Sequence, residues 1–320
     1  MLPWAQEHHP RRHYGIKGEA APLTNIAIIL ILMSAIIHAG WNFISKRSSP
    51  SAGFFLAANS IGTWIFFPWV LAYWGIVSRL PGNVWFLLVL TGFFQAVYCI
   101  ALAAAYRRGD LSVSYPISRS LPVIMVPLVT MLLGRGALLG KWFMVGAVLV
   151  LAGGVLISVE EIQPTRERPF LKGTLPMAIW AAIGTTGYSM VDDKALRIIR
   201  QSLGDLYGTI PITLVYAFFE GLACAGWIGI FILMRGKDSR IKRLHLGWAA
   251  GAGVLMYLTY GMVLLSMAYA RDISLIVAFR QVSILIGALM GFVFLKEAAH
   301  RLKLLGLSLL FAGLVLVAML

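Results

Sequence analysis

The sequence is poor in charged residues and in cysteine. Asp, Glu, Lys and Arg together make up 12% of the 320 residues, about half of their usual share in soluble domains. The two cysteines, Cys99 and Cys224, provide neither a disulfide framework nor a metal-binding cluster. Acidic residues are especially scarce, with 13 against 27 Lys and Arg, so the net charge is +14. These shortages exclude an ordinary soluble domain, a disulfide-rich scaffold and a cysteine-based metal site.

Long apolar runs occupy most of the chain. Hydrophobic residues account for 59% of the sequence, and the mean hydropathy is +0.82. A helix that spans a bilayer needs about 20 mostly apolar residues. The segments that meet this requirement are 24–45, 52–78, 83–106, 110–133, 138–159, 173–195, 205–234, 246–270, 272–295 and 302–320. The sequence therefore predicts an all-α integral membrane protein with ten transmembrane helices.

The basic residues lie mainly where the predicted helices end. Of the 27 Lys and Arg residues, 25 fall in loops or at helix ends, where they meet lipid headgroups. This distribution favours membrane lipid over nucleic acid as a partner, and the expected location is the cell inner (plasma) membrane, as a multi-pass protein. It leaves open which side the termini face. Residues 1–23 are polar and are expected to form a disordered tail.

Two parts of the chain resemble each other. The matched pairs are Tyr106 and Tyr269, Asp110 and Asp272, Arg119 and Arg280, Gly146 and Gly306, and Gly153 and Gly313. The members of these pairs lie between 160 and 163 residues apart. The sequence thus predicts two five-helix repeats, 24–159 and 173–320, joined by the charged linker 160–172. Because five is odd, the repeats must be inverted in the membrane, which is typical of secondary transporters.

Arg119 and Arg280 are the two basic residues expected inside the membrane. A charge at the bilayer centre costs about 2.5–3.5 kcal/mol, so such residues usually have a function. In one interpretation both face a central cavity and bind a carboxylate or phosphate, because a guanidinium donates bidentate hydrogen bonds. In the other, each pairs with an internal carboxylate or with a carbonyl of a broken helix. We favour the cavity, because the two arginines are matched between the repeats.

Other polar residues within the predicted helices are candidates for the same site. The repeat-matched substrate-binding candidates are Trp41, Asn42, Tyr188 and Ser189, although helix packing would also explain them. Glu220 either has a function, as the partner of an arginine or the carrier of a coupling proton, or is a protonated carboxyl that makes a single interhelical hydrogen bond. His38 either shuttles protons or is a neutral side chain bonded to a neighbouring helix. Asp192 and Asp193, near the predicted end of the sixth helix, are interpreted as a solvated boundary.

Several of these motifs resemble a known family. The first helix contains His38-Ala39-Gly40-Trp41-Asn42 and Lys46, and Leu295-Lys296-Glu297 precedes a last helix with Gly306 and Ala312-Gly313. This pattern resembles the drug/metabolite transporter superfamily, specifically its ten-helix EamA-like branch, over essentially the whole chain after residue 23. One departure is Gly134-Arg135-Gly136, which stands where the first repeat usually carries an acidic residue. The resemblance implies a proton- or gradient-driven carrier, or an exchanger, of small polar metabolites in a cell membrane.

The sequence therefore predicts a secondary-active transporter without a cofactor and without catalytic activity. Its substrate is expected to be a small polar metabolite, anionic or neutral, held near the bilayer midplane between the repeats. The alternatives are an integral membrane enzyme acting on a lipid-linked substrate and a non-transporting scaffold. Gly287 and Gly291 form a GxxxG pair that serves either a homodimer or internal packing.

Overall fold

The structure is a computed structural model, and almost all of the residues that it describes are helical. The described residues are 23–48, 51–108, 111–134, 140–159, 173–235, 246–287 and 301–318. Residues 1–22 of the predicted tail, the linker 160–172, Asp110, Gly291 and Glu297 lie outside them.

The chain forms a series of helices connected by short turns. The α-helices are α1 Asn25–Arg47, α2 Ala52–Thr63, α3 Phe67–Ala72, α4 Trp74–Val77, α5 Gly82–Arg108, α6 Leu111–Ser120, α7 Pro122–Leu132, α8 Lys141–Val159, α9 Leu175–Tyr207, α10 Thr209–Arg235, α11 Leu246–Ser266, α12 Ile273–Phe279 and α13 Arg301–Ala318. Hydroxyl side chains cap the first two, since Thr24 accepts a bond from the Ala27 amide and Ser51 from the Phe54 amide.

Within the described ranges, six stretches are long and apolar enough to cross a membrane. They are Asn25–Ser45, Ala52–Ala72, Gly82–Arg107, Tyr115–Leu132, Thr209–Arg235 and Leu246–Tyr269. Lys141–Ile157 and Ile273–Gly287 are shorter apolar helices. Large apolar side chains such as Phe86 and Leu132 are exposed on the outside, 68% and 86% respectively, as expected of a surface that faces lipid. The predicted class, an all-α multi-pass membrane protein, is confirmed.

The sixth predicted helix is longer than the sequence suggested. The predicted end at residue 195 is wrong, because α9 continues to Tyr207. Leu196, Ile199 and Leu203 recur on one buried face of this extension, so its charged residues occupy the other faces without ending the helix. Gly208, whose φ is 72°, ends it in a left-handed conformation that glycine adopts without strain.

The helices pack in a small number of close pairs. α5 packs against α9 and α10, while α11 packs against α1 and α2. α8 runs along α13, where Gly146 meets Gly313 and Gly153 meets Gly306. A Cβ added at Gly313 would lie 2.6 Å from the carbonyl oxygen of Gly146, so this contact needs glycine.

Two membrane helices break at or next to the matched arginines. α6 ends at Ser120, and α7 begins at Pro122, which has no backbone N–H to continue the ladder. α12 ends at Phe279, the chain turns at Arg280 and Gln281, and residues 282–287 are again helical. Irregular backbone at membrane depth is tolerated only where protein or a cavity satisfies it.

Candidate functional site

A cavity with several polar side chains in its wall lies where the breaks and the long helices meet. Its non-atom space, part of which is open to the outside, is about 460 Å³. The lining residues come from α1, α2, α5, α9, α11 and the turn after α12: His38, Trp41, Asn59, Gln95, Tyr98, Cys99, Tyr188, Met256, Tyr257, Thr259, Tyr260 and Arg280. Aromatic and amide groups dominate this surface.

Arg280 is the one Lys or Arg that lines the cavity among the described residues. Its guanidinium carbon lies 5.9 Å from the ring centroid of Tyr260, a cation–π contact. Tyr188 packs edge-on between Tyr260 and Tyr98, with ring centroids 5.5 and 5.9 Å away. Arg280 is thus held by aromatic faces and not by an acidic side chain, because no carboxylate in the described part of the chain forms an ion pair with it.

Arg119 lies behind the cavity and does not line it. Its Nη2 donates to the backbone carbonyl oxygen of Arg280 over 3.1 Å and to Ser283 Oγ over 3.2 Å. Ser283 Oγ in turn donates to the same carbonyl over 2.8 Å and accepts from the Tyr115 hydroxyl over 3.1 Å. Arg119 therefore satisfies backbone and side-chain groups at the break after α12, as the broken-helix interpretation describes, while Arg280 meets the cavity.

His38 and Trp41 line the cavity from α1. Trp41 Nε1 donates to His38 Nδ1 over 3.1 Å, and the two rings meet edge-on at 4.8 Å. Because Nδ1 accepts, a neutral imidazole carries its proton on Nε2. Nε2 is buried and has no hydrogen-bond partner in the described structure. His38 thus lines the cavity and retains a donor that no described residue accepts.

The remaining predicted substrate contacts divide into two groups. Tyr188 lines the cavity, as described above. Asn42 instead holds helices together, donating from Nδ2 to the His38 carbonyl over 2.8 Å and accepting at Oδ1 from the Tyr106 hydroxyl over 2.8 Å. Ser189 is buried outside the lining, and its hydroxyl has no partner among the described residues.

Two carboxyl groups lie next to the cavity. Asp192 is fully buried and accepts hydrogen bonds from Thr91 Oγ1 over 2.6 Å, from the Tyr216 hydroxyl over 2.8 Å and from the Tyr260 hydroxyl. Glu220 accepts a hydrogen bond from Gln95 Nε2. The interpretation of Asp192 as a solvated boundary is wrong, because α9 continues for four more turns beyond it and other helices cover it.

Sequence reasoning missed most of the cavity wall. The missed lining residues include Asn59, Gln95, Tyr98, Tyr257 and Tyr260. Each of these side chains carries a polar group and lies in the middle of an apolar run. A polar group at such a position is a sign of function that could have identified them from the sequence. Tyr257 and Tyr260 also lie three residues apart, on one helix face.

Comparisons with known proteins establish the fold alone. No model of a known family matches the chain, and no curated protein matches it. Solved structures do match, and they comprise 22 chains. One of them, described as "Crystal structure of protein", is 17% identical and covers 91% of this chain and 95% of its own, with a TM-score of 0.64. The whole bundle, and not a part of it, therefore has a counterpart of solved structure.

Proposed function

We propose that the protein is a secondary-active membrane transporter that moves a small polar metabolite by alternating access. Its substrate binds near the bilayer midplane, in the cavity around Arg280. The observation that carries the proposal is this aromatic cavity, which contains a buried arginine and lies inside a bundle of apolar helices. The proposed architecture is ten helices in two inverted repeats, 24–159 and 173–320, and the proposed family is the EamA-like branch.

The helix contacts support the inverted repeat. In a two-fold arrangement, the first five membrane helices exchange with the last five. The contact of α5 with α9 then corresponds to that of α11 with α1, and the contact of α5 with α10 to that of α11 with α2. The pairing of Gly146 with Gly313 corresponds in the same way to that of Gly153 with Gly306.

Hydrogen bonds beside the cavity follow the same exchange. Gln95 donates to Glu220, and Tyr257 donates to Asn59. Gln95 and Tyr257 are 162 residues apart, and Asn59 and Glu220 are 161 apart. These separations fall within the range of the matched pairs in the sequence. The two bonds are thus equivalent under the proposed symmetry, which supports a cavity on the axis between the repeats.

The cavity chemistry supports a substrate with one anionic group and a flat or apolar body. Arg280 offers a fixed positive charge, while His38 Nε2 and Thr259 Oγ1 are polar atoms without protein partners in the described structure. Trp41, Tyr98 and Tyr188 provide aromatic surface for the remainder. A buried arginine that lacks a carboxylate partner favours an anion over a neutral ligand.

In the proposed cycle, the two repeats rock about the cavity. The breaks at Leu121 and at Arg280–Gln281 allow the halves of each broken helix to move separately. Arg119 crosses from one repeat to the break of the other, so it keeps the two broken helices together as they move. Arg280 can then stay with the substrate while access changes sides.

Counterflow in proteoliposomes tests the proposed function. Purified protein is reconstituted and loaded with an unlabelled metabolite, and uptake of the same labelled metabolite is followed for a panel of anionic and neutral compounds. Saturable counterflow of at least one anionic compound is expected. Conversion of a lipid-linked substrate without counterflow would indicate the membrane enzyme, and neither activity across the panel would indicate a scaffold.

A further inference from the structure

Asp192 and Glu220 form a buried carboxyl pair one side chain away from the cavity. Asp192 is 0% exposed on α9, and Glu220 is 1% exposed on α10. The two carboxyl groups are neighbours, because Thr91 and Gln95, one helical turn apart on α5, bond to Asp192 and Glu220 respectively, and Tyr216, one turn before Glu220 on α10, also bonds to Asp192. Tyr260 and Gln95, which line the cavity, bond to Asp192 and Glu220 respectively. The pair therefore bonds to two residues of the cavity wall but does not itself line the cavity.

No basic side chain compensates the pair within the described residues. α5 contributes Thr91 and Gln95 as hydrogen-bond donors. The titratable or charged groups that face the pair are Tyr216 and Cys224 from α10 and Tyr257 and Tyr260 from α11, and Arg280 lies over the Tyr260 ring. Asp193, the next residue on α9, has its own partner, Arg197, at 2.9 Å.

Electrostatics requires the pair to hold a proton. Two neighbouring carboxylates in a low-dielectric interior cannot both be ionised, because their repulsion adds to the cost of desolvation. Asp192 accepts three hydroxyl donors, whereas Glu220 accepts one amide donor. Donors stabilise a carboxylate, so Asp192 carries the negative charge and Glu220 carries the proton.

A comparison with the matched position in the first repeat indicates that the proton on this pair has a function. Asn59 corresponds to Glu220 and accepts a hydrogen bond from Tyr257, as Glu220 does from Gln95. A neutral amide therefore suffices for packing and hydrogen bonding at this position of the fold. The carboxyl group in the second repeat adds the ability to bind and release a proton.

We propose that the Asp192–Glu220 pair is the proton-binding site that couples transport to a proton gradient, with Tyr260 as its link to Arg280. This proposal rests on the proposed function. When the pair opens to one side, one proton passes from water to the Asp192 carboxylate and forms an O–H bond there. When the pair opens to the other side, the proton returns to water and the carboxylate is restored.

The arrangement also gives the direction of coupling. The ionised Asp192 accepts a hydrogen bond from the Tyr260 hydroxyl, and the Arg280 guanidinium lies over the ring of the same tyrosine. The negative charge therefore offsets part of the attraction that Arg280 exerts on an anion. Protonation removes this charge, so anion binding strengthens and, by reciprocity, the bound anion favours the proton. Proton and anion consequently travel in the same direction.

Infrared difference spectroscopy tests the proton site without any transport. Purified protein is titrated from acid to alkaline pH, and the protonated-carboxyl band is compared in wild type, Asp192→Asn, Glu220→Gln and the matched control Asp205→Asn, an exposed carboxyl on the same helix. The wild type and the control should show a titrating band that is lost or displaced in both pair variants. An identical titrating band in all four proteins would overturn the proposal. If Asp192→Asn does not fold, Glu220→Gln alone decides.

Transport measurements test whether Tyr260 links the pair to the substrate and whether protonation of the pair strengthens anion binding. For an anion that shows counterflow, half-saturation should become about tenfold tighter at acid pH, within the usual range for coupling between two sites. Tyr260→Phe keeps the ring beside Arg280 but removes the donor to Asp192, so the ratio of half-saturation at acid and alkaline pH should move towards one. Counterflow with equal half-saturation at acid and alkaline pH would overturn the coupling. A titrating pair in a protein without counterflow would refute the proposed function and support the proton site.

Discussion

Arg119 donates a hydrogen bond from Nη2 to the backbone carbonyl oxygen of Arg280, over 3.1 Å. The two arginines that are matched in the sequence are therefore in contact, but they have different roles. One supports the break in a helix, and the other presents its guanidinium to the cavity. A substitution of Arg119 should accordingly lower the stability of the fold, whereas a substitution of Arg280 should mainly weaken substrate binding.

Arg119→Leu is expected to lower the stability of the folded protein as well as transport. The substitution removes two hydrogen bonds from a charged donor, and such bonds contribute about 1.5–3 kcal/mol each. Thermal unfolding in detergent should show a clear decrease in Tm, while Arg280→Leu should unfold close to the wild type. The result that would contradict this division is an equal Tm for wild type and Arg119→Leu.

Gly313→Ala is expected to weaken the contact between α8 and α13. The new Cβ would lie 2.6 Å from the Gly146 carbonyl oxygen and 2.8 Å from the Val150 amide, so the helices must separate, at a cost of about 1–3 kcal/mol. Gly251→Ala is the matched control, since no atom lies within 4 Å of its added Cβ. Tm should fall for the first and stay or rise for the second. Equal values for both would show that the glycine contact is unimportant.

The sequence predicted the membrane class correctly because long apolar runs need no tertiary information. It also selected Arg280, His38, Trp41 and Tyr188, all of which line the cavity. It could not distinguish Arg119 from Arg280, because a repeat shows equivalence of position and says nothing about which partner is nearby. Asp192 was misinterpreted for a related reason: the extension of α9 to Tyr207 depends on a buried face whose partners are other helices.

Glu220→Gln is expected to separate exchange from accumulation. Glutamine keeps a hydrogen-bond acceptor for Gln95, as Asn59 does for Tyr257, but it removes the carboxyl group that pairs with Asp192 in the proton-binding site. Counterflow should therefore continue, whereas uptake driven by an imposed pH gradient should be lost. Both are measured in the same proteoliposome preparation, with Asp205→Asn as the control. Proton-driven accumulation at the wild-type level in Glu220→Gln would exclude a coupling role for this residue.

The central claim is that the substrate binds at Arg280, and counterflow of the Arg280 series measures it most directly. Wild type, Arg280→Leu, Arg280→Lys and the exposed control Arg301→Leu are reconstituted in equal amounts, as judged by protein assay. Arg280→Leu should lose counterflow of the anionic compound, Arg280→Lys should keep part of it with weaker half-saturation, and Arg301→Leu should match the wild type. Wild-type counterflow and half-saturation in Arg280→Leu would contradict the account.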